Sequence, residues 1–104
     1  MKKASVYNFG ILCGYLIEDD EGYYFEYLPE YLETEEAKAI SLTLPLRKEA
    51  YHSTYLFPFF DGLIPEGWLL YLASKTFNID PRNRFDILLK VGKNTIGSVT
   101  VEEN

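Results

Sequence analysis

Few residues in this chain of 104 have the types and spacing that chemistry requires. Asp61 and Glu66 stand near each other in the stretch FFDGLIPEGW, residues 59–68. Two carboxylates across a turn could act as acid and base if their surroundings split their pKa values. The same residues have a plainer use. Asp61-Gly62 is a frequent turn pair, and Glu66 is an acid where a helix N-terminus favours one. The search for a nucleophile reaches Cys13, Ser53 and His52. Cys13 lies among apolar neighbours in ILCGYLIE, where a thiol usually fills core space. A pairing of Cys13 or Ser53 with His52 needs a third group to orient the imidazole, and the sequence singles none out. With one Cys and one His, no zinc site is expected within the chain. Neither G-x-x-x-x-G-K-[ST] nor G-x-G-x-x-G occurs, so no phosphate cradle is signalled and no cofactor is expected. Catalysis by this chain alone is the weaker reading.

The elements that must position these residues come from hydrophobic pattern and turn chemistry. Residues 4–9 and 11–18 read as two strands around Gly10, and residues 23–28 (YYFEYL) return as a third after the turn signal Asp19-Asp20-Glu21-Gly22. Pro29 should end that strand, with a helical turn over 30–33. Residues 40–46 (ISLTLPL) alternate, Ile40, Leu42 and Leu44 facing one way, which predicts a half-buried strand stopped by Pro45. Tyr51, His52 and Ser53 read as loop. Pro65 and Glu66 mark the entrance of a helix running to about Phe77. Asp80 as N-cap with Pro81 behind it opens a second helix, which Gly92 terminates. Residues 95–101 form a closing strand, with Gly97 inside it as a bulge or close approach. The expected fold is α+β: an antiparallel meander, two late helices and a closing strand, forming one domain over 1–104.

On a helical wheel, Leu69, Leu70, Leu72, Ala73 and Phe77 share one broad arc with Thr76, the expected core face. Trp68 lies at its margin beside Lys75, and Tyr71 lies outside it near Ser74. Trp68 and Tyr71 are then neighbours three residues apart, on the side the core does not claim. Such a pair is what protein interfaces use as anchors, so Trp68, Tyr71 and Lys75 are the candidate partner-binding residues. The pattern leaves open a second placement, with Trp68 folded back onto the meander or the loop at 55–60. Phe59, Phe60, Asp61, Gly62, Pro65, Glu66 and Gly67 are read as structural, with at least one phenylalanine in the core. Tyr23, Tyr24, Tyr27 and Tyr31 could form an aromatic ledge for a ligand, although strand aromatics more often pack across neighbours.

Composition narrows the partners. The net charge of −6 and the dispersed basic residues argue against nucleic acid, whose phosphates need Lys and Arg. No apolar run is long enough to span a membrane. Lys2-Lys3 carries the charge of a signal peptide, but Asn8, Gly10 and Gly14 interrupt the apolar stretch behind it. A lone cysteine fits a reducing compartment, so a cytoplasmic location is expected.

Five blocks in order, YYFEYLPEYL, ISLTLPLR, FFDGLIPEGW, DPRNRFDILLKVG and IGSVTV, closely resemble the N-terminal subdomain of HipA-type toxin kinases over nearly the whole chain. In that family the subdomain packs against the N-lobe of a serine/threonine kinase core. The nucleotide loop, catalytic aspartate and metal-binding residues of that core lie beyond the matching region, so no catalytic residue carries over. Some related bacterial toxin–antitoxin systems split the toxin into a kinase and a small protein like this subdomain, a HipS-like antitoxin. The resemblance therefore implies a non-catalytic partner of a HipA-like Ser/Thr kinase encoded nearby, with a helix-turn-helix HipB-like protein reached through the complex. The alternative is a structural N-terminal piece of such a kinase, required but not inhibitory. The start at Met1 and the stop at Asn104 suit a complete small gene product, and a truncated one would look similar.

Overall fold

The computed structural model describes residues 1–95 and 97–104. Strands β1 (Lys2–Asn8), β2 (Ile11–Asp19) and β3 (Gly22–Tyr27) form the expected meander. A short strand β4 (Tyr51–Ser53) adds to β3, and the closing strand β5 (Val99–Glu103) adds to β1. The sheet is antiparallel throughout, in the order β4-β3-β2-β1-β5. The β2–β3 turn follows from its residues. The Asp19 carboxylate accepts the Glu21 amide at 2.8 Å, and Gly22 has φ 129° where a Cβ would run into the Ser53 carbonyl oxygen. A side chain there would be both strained and in collision.

Four helices are interspersed with the strands among the described residues, α1 (Pro29–Leu32) between β3 and β4, then α2 (Pro58–Asp61), α3 (Gly67–Phe77) and α4 (Arg84–Val91) between β4 and β5, the last continuing into a 3-10 turn at Gly92–Asn94. One face of the sheet carries Ala4, Val6, Leu16, Phe25, Tyr27, Val99 and Val101 into the core, where Phe60, Phe85, Ile87 and Leu88 of α2 and α4 cover them. The sheet is thus the one-sided kind, with strand residues alternating between core and outer surface. Register shifts between Val6 and Tyr7, so Cys13 is the extra residue on β2 and both Cys13 and Gly14 are buried.

Several boundaries differ from the pattern-based expectation. Residues 40–46 are not a strand. Ile40 and Leu44 are buried, but Leu42 between them is 99% exposed. A tight turn wins here: the Leu44 amide donates to the Ser41 carbonyl at 3.1 Å, and the Ser41 hydroxyl accepts the Thr43 amide. The buried Tyr27 hydroxyl clamps the turn, accepting the Ile40 amide at 3.0 Å and donating to the Leu44 carbonyl. Burial pushes the Tyr27 phenol up to about 12. Tyr27→Phe would leave both backbone groups without that partner, which costs about 1–3 kcal/mol. A thermal melt of Tyr27→Phe is expected to fall by several degrees, and an unchanged melt would show that the clamp is dispensable.

Tyr51, His52 and Ser53, read as loop, pair with Phe25, Tyr24 and Tyr23. Pro65 and Glu66 lie just before α3 rather than in its first turn. Glu66 is extended at the cap position, and the helix begins at Gly67, whose φ of 59° suits glycine. Asp80 does not cap α4 and Pro81 does not open it. The Asp80 carboxylate instead holds Arg82, which keeps its pKa down at about 2, and Asn83 takes the cap position. Gly92 does follow α4, but at φ −65°, so its reason is space: a side chain would meet the Val101 carbonyl at 2.7 Å. β5 starts at Val99, and Gly97 precedes it; of the expected strand 95–101, residue 96 lies outside the described residues.

Candidate functional site

The stretch 59–68 joins two short structural pieces. Phe59, Phe60 and Asp61 lie on α2, where Pro58 occupies the first position. Phe60 is fully buried and packs on Phe25, Phe57 and Phe59 at ring distances of 5.4, 6.2 and 5.3 Å. Phe59 is partly buried against the same cluster. Gly62 closes α2, its amide donating to the Pro58 carbonyl at 2.9 Å, and Pro65 and Glu66 lead into α3.

The two carboxylates are committed to the framework in different degrees. Asp61 Oδ1 accepts from Arg84 Nε at 2.8 Å, tying α2 to α4. The hydrogen bond that Arg84 donates to Asp61 raises the Arg84 pKa, with the charges of Asp61 and Glu66 adding to it. Asp61 is thereby a strut between two helices, bonded to a guanidinium rather than left open as a base.

Cys13 and His52 are far apart in the sheet. Cys13 is buried on β2, its thiol donating to the Val6 carbonyl, and burial pushes its pKa up to about 12. His52 is exposed on β4, with β3 between them, and stacks at 4.6 Å on Tyr24, which alternates with the core residue Phe25. The two side chains are therefore on different strands and opposite faces. Cys13 should react with a thiol reagent such as Ellman's only in denaturant; rapid labelling of the native protein would show that the bulge opens. Among the described residues, no group of three His, Cys, Asp or Glu side chains could hold a metal ion, and no helix is long and apolar enough to cross a membrane.

The tyrosines do not make one ledge. Tyr27 and Tyr31 are buried and stack on each other, Tyr23 packs on Phe85, and Tyr24 faces outward against His52. What remains as a surface is α3. The expected core arc is largely uncovered: Ala73 is buried and Leu70 half-buried, but Leu69 is 62% exposed and Leu72 and Phe77 are exposed as well. The wheel ranked residues by polarity, but among the described residues α3 packs chiefly against α4, so a helix apolar on most sides keeps most of that surface in solvent. Trp68 is 68% exposed and stacks on Tyr71 at 5.7 Å and 18°, with the Lys75 ammonium over the Tyr71 ring at 5.6 Å. Trp68 is thus not folded back into the core. At the far end Asn78 takes the left-handed conformation, and the Ser74 hydroxyl donates to the Ile79 carbonyl, closing the helix. A groove of about 500 Å³ along the α3 side, lined by Leu63, Ile64, Pro65, Leu69 and Phe77, extends this apolar face.

Comparisons with known proteins assign this fold to a family. The family model described as HipA N-terminal domain matches residues 4–102, and the chain belongs to that family. A solved structure titled N-terminal domain of HipA toxin superposes with a TM-score of 0.78 at 32% identity, covering 100% of this chain and 93% of that one. An uncharacterized protein of Haemophilus influenzae is 35% identical over 103 residues, 99% of this chain and 93% of its own length. A putative kinase, Y4mE, of Sinorhizobium fredii is 29% identical over 91 residues. The match takes in 86% of this chain but spans only 22% of that kinase.

Proposed function

We propose that this chain is a non-catalytic kinase-binding subunit, the antitoxin or regulator of a split HipA-like Ser/Thr kinase in a toxin–antitoxin system. The observation that carries the proposal is the exposed face of α3, where Trp68, Leu69, Tyr71, Leu72 and Phe77 stand in solvent together. A contiguous apolar surface with aromatic anchors marks a protein interaction site. Trp68 and Tyr71 would be the anchors and Lys75 a charged contact at the rim. The family supports a kinase as the partner, because the matching region in the rhizobial protein is a small part of a putative kinase. A relative in Haemophilus influenzae that the match nearly fills supports the stand-alone form. Contact with a helix-turn-helix HipB-like protein would come through the kinase complex, without direct nucleic-acid binding, in the cytoplasm.

The second reading is a structural N-terminal subdomain that a HipA-like kinase needs but that does not inhibit it, and the small share of the rhizobial kinase covered favours it. The two separate in one experiment, co-purification with a HipA-like kinase encoded beside this chain, followed by phosphotransfer with and without it. Suppressed phosphotransfer in the complex supports the regulator, and a kinase that is active only in the complex supports the structural piece. No complex at all would remove both. The non-catalytic part has its own check. Titration of the purified chain with Mg-ATP is expected to give no specific heat, and binding at micromolar concentration would contradict it.

A further inference from the structure

We propose that α3 of the free chain is near balance between a closed and a locally unfolded form while the sheet and α4 stay folded, and that the bound partner holds it closed. The inference rests on the reading of α3 as the kinase-binding face, and it adds that folding of this helix and binding are one event. The first observation is how little fastens α3 to the domain. Of its 11 residues only Ala73 is buried, and Leu70 is half-buried against the core. The neighbouring α4 has 8 residues yet buries Phe85, Ile87 and Leu88 almost completely. Among the described residues, no ion pair involves α3. Apolar burial is the main hold on any segment, so one with few buried contacts opens at the smallest cost.

The second observation is that α3 cannot make up this deficit from within. An isolated helix shorter than about 12–15 residues is marginal in water even when built from the best helix formers. Trp68, Tyr71, Ser74, Thr76 and Phe77 are weaker formers than those. The N-terminal end is open as well. Glu66 stands extended at the cap position without a side-chain cap bond, and no acid lies in the first turn. Gly67, the first residue, has φ 59°, outside the right-handed helical region. The C-terminal end is better closed, by the left-handed Asn78 and by the Ser74 hydroxyl, which donates to the Ile79 carbonyl at 2.6 Å. Within the helix, the stack of Trp68 on Tyr71 and the Lys75 ammonium over the same ring are surface pairs that each add little. Opening therefore starts at the end that carries Trp68 and Tyr71.

A partner that covers Trp68, Leu69, Tyr71 and Leu72 supplies the burial that the closed helix lacks. It binds the closed form, so its apparent affinity scales with the closed fraction of the free chain. A substitution that touches no partner then changes affinity by shifting that fraction alone. Ala73 is the position for it, because its methyl group points into the domain and not to the exposed face. Glycine there loosens the helix without altering an anchor. It leaves the main melt nearly in place, since a segment already half open adds little to the unfolding of the rest.

Amide hydrogen exchange of the full chain tests the opening with no partner present. Residues 71–74 are expected to exchange within about 10-fold of their unprotected rates, while residues 88–91 of α4 and the interior of β2 are protected at least about 1,000-fold. Protection of α3 equal to that of α4 would overturn the proposal. Ala73→Gly should weaken binding of a HipA-like kinase about 2- to 4-fold and move the melting temperature by no more than about 2 °C. A fall of about 4–8 °C would instead show that α3 unfolds with the domain, and would overturn it as well. In the kinase complex, protection of residues 71–74 should rise at least about 100-fold; a complex that leaves them unprotected would break the coupling. The underlying reading fails separately. A kinase complex formed by a chain whose α3 is already fully protected removes this proposal alone, whereas an open α3 with no complex removes the α3 interface and the coupling with it.

Discussion

Phe60→Ala is expected to unfold most of the protein at physiological temperature. Phe60 is fully buried at the junction of α2 with the sheet, and its ring meets Phe25, Phe57 and Phe59. Truncating a buried phenylalanine costs about 3–5 kcal/mol, because transfer energy is lost and a cavity remains. A domain of this size has about 5–15 kcal/mol in all. The melting temperature should fall by roughly 12–40 °C, at about 4–8 °C for each kcal/mol. Phe59→Ala should fall less, since Phe59 is only partly buried. Asp61→Asn should be nearly silent. The Asp61–Arg84 ion pair is substantially solvated and is worth about 0–1 kcal/mol, and the amide oxygen can still accept from Arg84. Equal small effects in melts of all three would show that α2 is a surface feature.

Trp68→Ala is expected to do the opposite, leaving the fold intact while abolishing function. Trp68 is largely solvent-exposed, and its main contact is the stack on Tyr71, one turn along the same helix. Its loss should move the melting temperature by no more than a few degrees. Interface anchors of this kind cost about 2–4 kcal/mol on truncation, or roughly 30- to 1,000-fold in affinity. Tyr71→Ala should weaken kinase binding less. Lys75→Ala should have an effect that shrinks at high salt if the kinase presents an acidic patch there. A folded Trp68→Ala that binds the kinase as well as the parent would remove Trp68 from the interface.

The contrast between these residues shows what the sequence could convey. The meander was legible because its signals are local: alternation in β2 and β3, and a turn whose Asp19 and Gly22 act within a few residues. Phe60 was legible as a core candidate because a phenylalanine pair beside a turn has few other uses. The strand expected over 40–46 failed because the alternation of Ile40, Leu42 and Leu44 is equally consistent with a turn whose two ends are buried. The deciding contact, from the Tyr27 hydroxyl, comes from far away in the chain. β4 was missed for a related reason: three residues carry no period, and only pairing with β3 makes them a strand.

The α3 surface was half legible. The wheel placed Trp68 and Tyr71 outside the core, and the structure agrees about their exposure. It also assigned Leu69, Leu72 and Phe77 to the core, and these are exposed. Hydrophobicity reports that a face is to be covered without saying by what, and in this helix the described residues leave Leu69, Leu72 and Phe77 in solvent.

The central claim is that α3 is the surface by which this chain holds a kinase. The direct measurement is calorimetric titration of a HipA-like kinase, the proposed partner, with the parent protein and with Trp68→Ala, each first shown by thermal melting to be folded. A saturable one-to-one complex with the parent, weakened by roughly 30-fold or more in an equally stable Trp68→Ala, is the predicted result. Parent and variant binding with the same affinity, or the parent giving no heat and no co-elution at micromolar concentration, would contradict it.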